Sequence, residues 1–374
     1  MLRACPRPEL ATEPLVVSQH QLARGLDALV ARAGDQFSEW NGDVGPHPEL
    51  EISGSRLSAT SLESWAQCPA RYFFRNVLHV REQDDSTEVD ELEARHRGTL
   101  VHRILEELGK AHLLERPHAD QLGLFPSWTV SAREIVEEVT DAVLDEFEGL
   151  GGAPYPILWA VERKRILRDV MRTLDNDPHG VILLAVEHRF GNPDKGEPTF
   201  TLVLPSGRTL DFRGSIDRVD RLHDGLRVID YKTGSPSKEP EVREGIATGV
   251  LLQLPLYGLA AQQHFDPDAP VSAAYWYISA KGKWEQVTIP IDETLQGEFF
   301  ETLDTITTGI ADGVFPANPG PEGYLTFDHC QWCDFQRICP PDRDRAWARI
   351  VDAPRLRQYV ELTEAVSVGE GGDG

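Results

Sequence analysis

The hydrophobic pattern of the chain is clearest between Leu210 and Gly234. Two runs rich in Ile, Val, Phe and Tyr, GSIDRVD and LRVIDY, flank the dipeptide Asp224-Gly225. Asp-Gly between two such runs is typical of a β-hairpin with a two-residue turn. The pattern therefore predicts an antiparallel hairpin, around which the rest of the fold is arranged.

The predicted hairpin gathers two acids and a lysine on one face. With the turn at 224–225, Asp217 lies opposite Lys232, and Asp230 is a diagonal neighbour about 7–8 Å away at Cα. Because side chains alternate along a strand, all three point to the same side. One interpretation is a salt-bridge cluster on a half-exposed surface. The run LRVIDY is apolar on both sides of Asp230, however. A buried carboxylate needs a cation or a full set of hydrogen bonds, which favours a site for a metal ion and a phosphate.

Periodicity predicts helices and strands on both sides of this hairpin. Residues 57–78 have an apolar helical face and a candidate capping box, Thr60 with Glu63. A polar loop is expected after Gly234, and residues 247–263 are helical in pattern although Pro255 disfavours a helix interior. The other expected helices are 18–33, 98–110, 131–148, 157–175 and 292–312, and the expected strands are 182–190, 199–204, 271–279 and 284–289. This order indicates an α/β fold.

The charge of the chain limits how it could contact nucleic acid. Of 374 residues, 26% are charged and 40% are hydrophobic, and the net charge is −24. Such a charge argues against a simple electrostatic DNA binder, but a local basic channel can lie within an acidic exterior. Acids are concentrated in 82–93 and 134–148, with seven in each segment. The candidate basic patches are Arg71 with Arg75 and Arg81, Arg163–Arg168, and Arg337–Arg357.

The sequence contains no motif for a membrane or for nucleotide hydrolysis. We see no signal peptide, and the longest apolar run, 181–186, is far too short to span a bilayer. We therefore expect a cytoplasmic protein that does not act at a membrane. A Walker A pattern is absent from the sequence, so any motor would lie on another chain.

Four of the five cysteines suggest a metal site. Cys330, Cys333 and Cys339 are clustered in DHCQWCDFQRICPP, whereas Cys68 lies far upstream in an apolar helical segment. In a cytoplasmic chain, clustered cysteines indicate metal ligation rather than disulfides. Zinc sites more often have two CxxC pairs or histidines at set spacings. Both zinc and iron–sulfur stay open at this point, with His329 as an alternative ligand, and Cys5 receives no role.

The motifs of the central hairpin resemble those of a known nuclease family. GSIDRVD followed by VIDYKTG is similar to the core of the PD-(D/E)XK nucleases of the RecB type. GTLVHRILE resembles the first helix of that family, and the Q-x3-Y pair Gln253 and Tyr257 resembles the motif after its lysine. The resemblance covers residues 57–341 with the motifs in family order. It implies a restriction-endonuclease-like αβββαβ core with a mixed central sheet and a helical insertion at 113–180.

The same resemblance assigns roles to the site residues. It implies that Asp217, Asp230, His102 and the carbonyl of Tyr231 hold Mg²⁺ or Mn²⁺, and that Lys232 assists the attacking water. Oxygen and imidazole ligands suit such ions.

Three further residues have supporting roles in this interpretation. Gln253 and Tyr257 would contact the substrate strand or support the metal-binding acids. Glu187 is a weaker candidate, because the family often has a glutamate there but an exposed strand glutamate is equally plausible.

The cysteine spacing resembles the [4Fe-4S] site of AddB-type and CRISPR-associated exonucleases. Cys68, Cys330, Cys333 and Cys339 would supply its four thiolates. Such a cluster would close a loop of about 260 residues and remove much entropy from the unfolded chain. The resemblance therefore implies a structural iron–sulfur staple, meaning a cluster that joins the two ends of the nuclease core.

The expected activity is metal-dependent hydrolysis of DNA, as an exonuclease, in DNA end processing and recombinational repair with a helicase partner. The run FSEWNGDVGP resembles the connector that precedes the nuclease domain of AddB-type proteins. Two alternatives are a non-catalytic DNA-end-binding or scaffold protein of a helicase–nuclease complex and a free-standing exonuclease of the CRISPR-adaptation type. The expected domains are a partly disordered connector (1–56), the nuclease domain (57–345), and a C-terminal helix with a disordered tail (346–374).

Overall fold

The structure is a computed structural model that describes residues 14, 18–52, 54–81, 92–115, 128–177 and 181–364. Its α-helices are α1 (His20–Ala33), α2 (Ala59–Gln67), α3 (Pro69–Tyr72), α4 (Ala94–Glu115), α5 (Trp128–Gly149), α6 (Pro156–Asp175), α7 (Glu239–Ala247), α8 (Gln253–Phe265), α9 (Glu293–Ala311), α10 (Arg343–Ile350) and α11 (Arg357–Glu364). Its strands are β1 (Arg56–Leu57), β2 (Ile182–Phe190), β3 (Phe200–Val203), β4 (Thr209–Phe212), β5 (Gly214–Arg221), β6 (Leu226–Lys232), β7 (Val271–Tyr277) and β8 (Gln286–Pro290). Cys5, most of the acidic segment 82–93 and the tail after 364 lie outside the described residues.

The predicted hairpin forms the middle of a five-stranded mixed sheet with the order β2–β5–β6–β7–β8. β6 and β7 are parallel, and the other neighbouring strands are antiparallel. The parallel step requires a crossover, which runs through α7 and α8. The chain forms α4, β2, β5, β6, α8 and β7 in that order, so the predicted αβββαβ core with a mixed sheet is confirmed.

Two apolar cores cover the two faces of this sheet. One core includes side chains of α2, α8 and α9, and the other includes side chains of α4, α5 and α6. Val228 of β6 packs into the first core, and Ile229 packs into the second. A strand that is buried on both faces exposes little to water, so charged residues on β6 need partners within the protein.

The helices that the sequence predicts near 131–148 and 157–175 are present as α5 and α6. A second sheet has three strands in the order β1–β4–β3. The strand expected at 199–204 is its β3, whereas the sheet itself was not predicted. Its strands have two to four residues each.

The register of the hairpin differs from the prediction by two residues. β5 and β6 pair Arg218 with Ile229, and if this register is continued it places Asp217 opposite Asp230 rather than Lys232. The predicted pairing of Asp217 with Lys232 is therefore wrong. A shift of two residues leaves every side chain on its original face, however, because the period of a strand is two. The common face of the three residues stays a prediction, because β5 and β6 no longer pair at Asp217.

The error in register comes from the turn. Residues 222–225 form the turn, in which the Leu222 N–H donates to the Gly225 carbonyl over 2.9 Å. Glycine is needed at residue 225 to avoid a steric clash rather than to form a two-residue turn, since a Cβ there would lie 2.2 Å from the carbonyl oxygen of Pro270. The glycine therefore allows the close approach of the segment before β7, and the Asp-Gly signal was misassigned to a two-residue turn.

The start of α2 is capped by different residues from those expected. The Ser58 hydroxyl accepts a hydrogen bond from the Ser61 N–H over 3.3 Å. In return, the Ser61 hydroxyl accepts one from the Ser58 N–H, also over 3.3 Å. The predicted box of Thr60 with Glu63 is therefore wrong. Because Glu63 is not needed at the helix terminus, its carboxylate is available for another contact.

The segment after Gly234 is also more regular than predicted, because it contains α7 within the expected polar loop. α8 begins at Gln253, several residues later than the expected helix. This start places Pro255 in the first helical turn, where an N–H has no partner within the helix. The proline is thus compatible with the helix.

Among the residues that the structure describes, no helix is both long enough and apolar enough to cross a membrane.

Candidate active site

The candidate site lies where β5 and β6 separate. β5 pairs with β2 along its whole length but with β6 only from Arg218 onward, whereas β6 continues to pair with β7 as far as Lys232. The Asp217 carboxylate replaces the missing strand contact, since its Oδ2 accepts a hydrogen bond from the Tyr231 N–H over 2.7 Å. The split in the sheet therefore fixes the position of Asp217.

His102 reaches this split from α4. Its Nε2 lies 3.0 Å from the Tyr231 carbonyl oxygen, and its Nδ1 lies 3.4 Å from Asp217 Oδ2. Burial disfavours the charged ring, but the hydrogen bond and the negative charge of Asp217 raise the pKa of His102 above its ordinary value. Three of the four ligands that the resemblance implies, His102, Asp217 and the Tyr231 carbonyl, thus lie together.

Glu187 lies in the same group. Ligand atoms of His102, Glu187 and Asp217 lie within 4.8 Å of one another. The β2–β5 residue pairs on either side of Glu187 place it directly across from Asp217. The Ser215 hydroxyl donates a hydrogen bond to Glu187 Oε2 over 2.8 Å. Burial raises the pKa of the Glu187 carboxyl. The residue that the sequence ranked lowest is thus one of the closest to the proposed ion.

The backbone of Glu187 is left-handed, with φ of 44°. A non-glycine residue in this region costs about 1–3 kcal/mol and persists only where its surroundings enforce it. Sequence patterns contain no signal for such a conformation. The strain lies at the residue that brings a third side chain to the site.

Asp230 and Lys232 form an ion pair beside this group. Lys232 Nζ lies 2.6 Å from Asp230 Oδ2, so the ammonium group is the cationic partner of this buried carboxylate. Burial raises the pKa of the Asp230 carboxyl to about 6, although the Lys232 charge opposes this effect. Burial would lower the pKa of Lys232, but the charge of Asp230 and its neighbouring acids raises it above the ordinary value. The lysine is therefore a fixed cation next to the acids.

Gln253 and Tyr257 support this lysine from α8. Gln253 Oε1 accepts a hydrogen bond from Lys232 Nζ over 2.9 Å. Tyr257 is buried, and its hydroxyl hydrogen-bonds the Gln253 side chain. In this structure the Q-x3-Y pair therefore positions the lysine, and α8 sets the direction in which the ammonium group points.

Glu63 is a functional candidate that sequence reasoning missed. Its carboxylate accepts a hydrogen bond from the Leu252 N–H over 2.7 Å, directly before Gln253. Burial raises the pKa of the Glu63 carboxyl to about 7, and the charges of Lys232 and Asp230 also act on it. Glu63 thus connects α2 to the start of α8. The capping-box pattern concealed this role, because it explained the glutamate locally.

The donor set at this site fits a hard divalent cation. Carboxylate and carbonyl oxygens suit Mg²⁺ and Mn²⁺, and an imidazole is compatible with Mn²⁺. Asp230 adds a buried carboxylate beside these donors, and a buried carboxylate is stable only with cationic partners or hydrogen bonds. The site therefore combines acids that could hold a divalent ion with one fixed ammonium group.

Cys68, far upstream in sequence, approaches the clustered Cys330, Cys333 and Cys339 in the fold. Burial raises the pKa of the Cys68 thiol to about 12, and the charges of Cys339 and Cys333 contribute to this rise. Cys330 likewise interacts with Cys333. His329, the alternative ligand, lies instead with its Nδ1 3.3 Å from the Asn318 carbonyl oxygen.

Comparison with known families agrees with this geometry. The sequence model of the PD-(D/E)XK nuclease superfamily matches residues 56–340. The chain belongs to the PD-(D/E)XK nuclease superfamily. The match includes every residue of the site described above, from Glu63 to Tyr257, and all four clustered cysteines.

Several curated proteins are similar to this PD-(D/E)XK chain. A subunit of the ATP-dependent helicase/deoxyribonuclease of Symbiobacterium thermophilum is 29% identical over 300 residues, which cover 74% of this chain and 24% of that protein. The protein of the same name from Clostridium tetani is 26% identical over 235 residues, covering 59% and 19%. The Gene 69 protein of Mycobacterium phage D29 is 32% identical over 130 residues, covering 34% and 42%. The chain thus spans about a quarter or less of the length of the two helicase/deoxyribonuclease relatives.

Proposed function

We propose that the protein is a metal-dependent deoxyribonuclease that hydrolyses phosphodiester bonds at the split between β5 and β6. The observation that carries this proposal is the grouping of His102, Glu187 and Asp217 within 4.8 Å, beside the Asp230–Lys232 ion pair. Such a combination of acids, an imidazole and a fixed cation suits an anionic phosphodiester and a divalent ion.

Asp217, Asp230, His102 and the Tyr231 carbonyl would hold a Mg²⁺ or Mn²⁺ ion, and Glu187 is placed to join them. When bound, this ion would polarise the scissile phosphate and lower the pKa of a coordinated water. Asp217 is held by the Tyr231 N–H before any ligand arrives, so the site is partly preorganised.

Lys232 would act on the reacting phosphate or on the attacking water. Its pKa is raised by Asp230, and its ammonium group is held by Gln253. A lysine that keeps its proton is better suited to stabilising charge on the pentavalent phosphate, or to orienting the water, than to removing a proton.

The wider role is proposed from the similar proteins. Two of them are named as a subunit of an ATP-dependent helicase/deoxyribonuclease. We propose that this chain acts in DNA end processing and recombinational repair, as an exonuclease together with a helicase partner. A cytoplasmic location is part of the same proposal.

The cysteines are proposed to bind a [4Fe-4S] cluster that joins the two ends of the nuclease core. The interactions of Cys68 with Cys339 and Cys333, and of Cys330 with Cys333, support a shared site for the four thiols. Four thiolates complete such a cluster.

The proposal is tested by cleavage of linear DNA with Mg²⁺ or Mn²⁺ by the wild type and by Lys232→Ala and Lys195→Ala. Lys195 is an exposed lysine outside the site, so its variant should retain wild-type activity. Lys232→Ala should lose cleavage, while its far-UV circular dichroism and unfolding temperature show a folded protein. Normal cleavage by a folded Lys232→Ala protein would overturn the mechanism. A wild type that binds DNA ends without cleaving them would support the alternative of a scaffold protein.

A further inference from the structure

The ammonium group of Lys232 lies over the ring of a tyrosine that has no role in the mechanism above. Lys232 Nζ is 4.9 Å from the centre of the Tyr275 ring. A cation within about 6 Å of an aromatic face is attracted by the negative charge density of that face. The contact therefore adds a third partner to the lysine, besides Asp230 and Gln253.

The pairing of β6 with β7 places the ring at this position. Tyr275 is the register partner of Asp230, and Lys232 lies two residues further along β6. Because side chains alternate along a strand, Asp230, Lys232 and Tyr275 project from the same face of these paired strands. The lysine therefore meets the ring diagonally across the two strands.

The three partners leave one direction open to the ammonium group. Asp230 Oδ2 lies 2.6 Å and Gln253 Oε1 lies 2.9 Å from Lys232 Nζ. A lysine has three N–H donors, so these two oxygens leave one N–H for a ligand. The Lys232 side chain is 34% exposed, whereas the Asp230 side chain is only 6% exposed. The ring limits how far the ammonium group can turn, so the remaining N–H keeps its direction toward the exposed side.

Tyr275 contacts the lysine through its ring and not through its hydroxyl. The residue is 1% exposed, and its hydroxyl has no hydrogen-bond partner among the described residues. Burial, together with the negative charges of Asp230 and Glu63, raises the pKa of Tyr275 well above its ordinary value. The hydroxyl thus stays protonated, and the attraction for Lys232 is that of a neutral aromatic face.

We propose that Tyr275 is a positioning residue, whose ring face holds the Lys232 ammonium group in the orientation that acts on the substrate phosphate. The inference rests on the proposed nuclease function. Without the ring, two oxygens would still hold the ammonium group, but its third side would be unrestrained. A misplacement of about 1 Å in such a group can cost about 100-fold in rate.

The test replaces Tyr275 by phenylalanine and by phenylalanines with one, two or three ring fluorines, introduced with a suppressor tRNA. Fluorine withdraws electron density from the ring face and weakens its attraction for a cation, while the shape of the ring changes little. For hydrolysis of a linear oligodeoxynucleotide with Mn²⁺, kcat should fall stepwise to about one tenth with three fluorines, since a desolvated cation–π contact corresponds to roughly tenfold in an equilibrium. KM and the half-maximal Mn²⁺ concentration should not change. A series with constant kcat would overturn the proposal.

Tyr275→Phe should itself retain the wild-type kcat and unfold at a higher urea concentration, because it removes a buried hydroxyl without a partner. A loss of kcat in Tyr275→Phe as large as that of the trifluorinated ring would assign the role to the hydroxyl and overturn the proposal. The matched control is the same fluorinated series at Phe299, a fully buried aromatic residue of the same core. Its kcat should stay constant, and an equal loss at both positions would show that packing alone sets the rate.

A measurement without cleavage separates this proposal from the one on which it rests. All proteins carry Asp230→Asn, so that removing the lysine charge leaves no unpaired carboxylate, and Tyr275→Leu and Lys232→Met are made alone and together. In urea unfolding with EDTA, Tyr275→Leu should lower the folding equilibrium constant about tenfold more with Lys232 than with methionine there. Independent effects of the two changes would overturn the contact. Coupled effects in a chain whose wild type cleaves no DNA would overturn the nuclease function and leave the contact supported.

Discussion

Replacing Asp230 by asparagine should stabilise the metal-free protein at pH 8 while abolishing cleavage. The pKa of this carboxyl is about 6 in the folded protein against an ordinary 3.8, and burial is the main cause. A raised pKa means that the folded state holds the proton more tightly than the unfolded chain does. Ionising Asp230 therefore destabilises the fold by about 3 kcal/mol once the pH exceeds the folded value, because each pKa unit corresponds to about 1.4 kcal/mol.

The expected gain is pH-dependent. Asparagine cannot ionise, so Asp230→Asn should exceed the wild type by up to about 3 kcal/mol at pH 8. The folded pKa of about 6 already includes the opposing charge of Lys232, so the lost ion pair is counted within this figure. As the pH falls through 6, the wild type takes up its proton and the difference should shrink, and below about pH 4 it should disappear.

The assay is urea unfolding in EDTA between pH 4 and pH 8, with Asp194→Asn as the control. Asp194 has an exposed carboxylate, so its variant should show no such pH-dependent gain. Adding Mg²⁺ should then stabilise the wild type more than Asp230→Asn, because an ion that binds only the folded state raises its stability. A variant less stable than the wild type at pH 8, or a difference that does not change with pH, would refute the reasoning.

Three further predictions concern residues around the site and the cysteines. His102→Ala should raise the Mn²⁺ concentration needed for half-maximal cleavage by at least about tenfold. The variant should stay folded, because His102 lies beside the buried stripe of α4. An unfolded variant with unchanged metal dependence would show that His102 is a packing residue. Glu63→Ala should lower kcat. Glu63→Gln should retain most of the wild-type kcat, because its side-chain carbonyl can still accept a hydrogen bond from the Leu252 N–H. An equal loss of kcat in both variants would exclude a positioning role for Glu63. Anaerobically purified protein should be brown and contain about four iron atoms, and Cys68→Ala should lose iron and stability as fully as Cys333→Ala. Zinc in place of iron would refute the iron–sulfur cluster but not the joining of the two ends by a metal site. Full iron content in Cys68→Ala would refute both.

The sequence alone was sufficient for the local features. The alternation of apolar and polar residues predicted the central strands and a common face for Asp217, Asp230 and Lys232. A register error of two residues does not change the face on which a paired residue lies, since the period of a strand is also two. The helical periodicities predicted α5 and α6 equally well, because each depends on residues only three or four positions apart.

Contacts between distant segments required the tertiary structure. Gly225 allows the close approach of the Pro270 carbonyl, which would lie 2.2 Å from a Cβ at residue 225, and the Asp-Gly dipeptide does not encode that contact. The left-handed backbone of Glu187 and the bond from the Leu252 N–H to Glu63 likewise arise from packing between elements. Periodicity determines which face a side chain occupies, whereas the neighbour it meets depends on how whole elements pack. The grouping of His102, Glu187 and Asp217 was therefore decided by the fold.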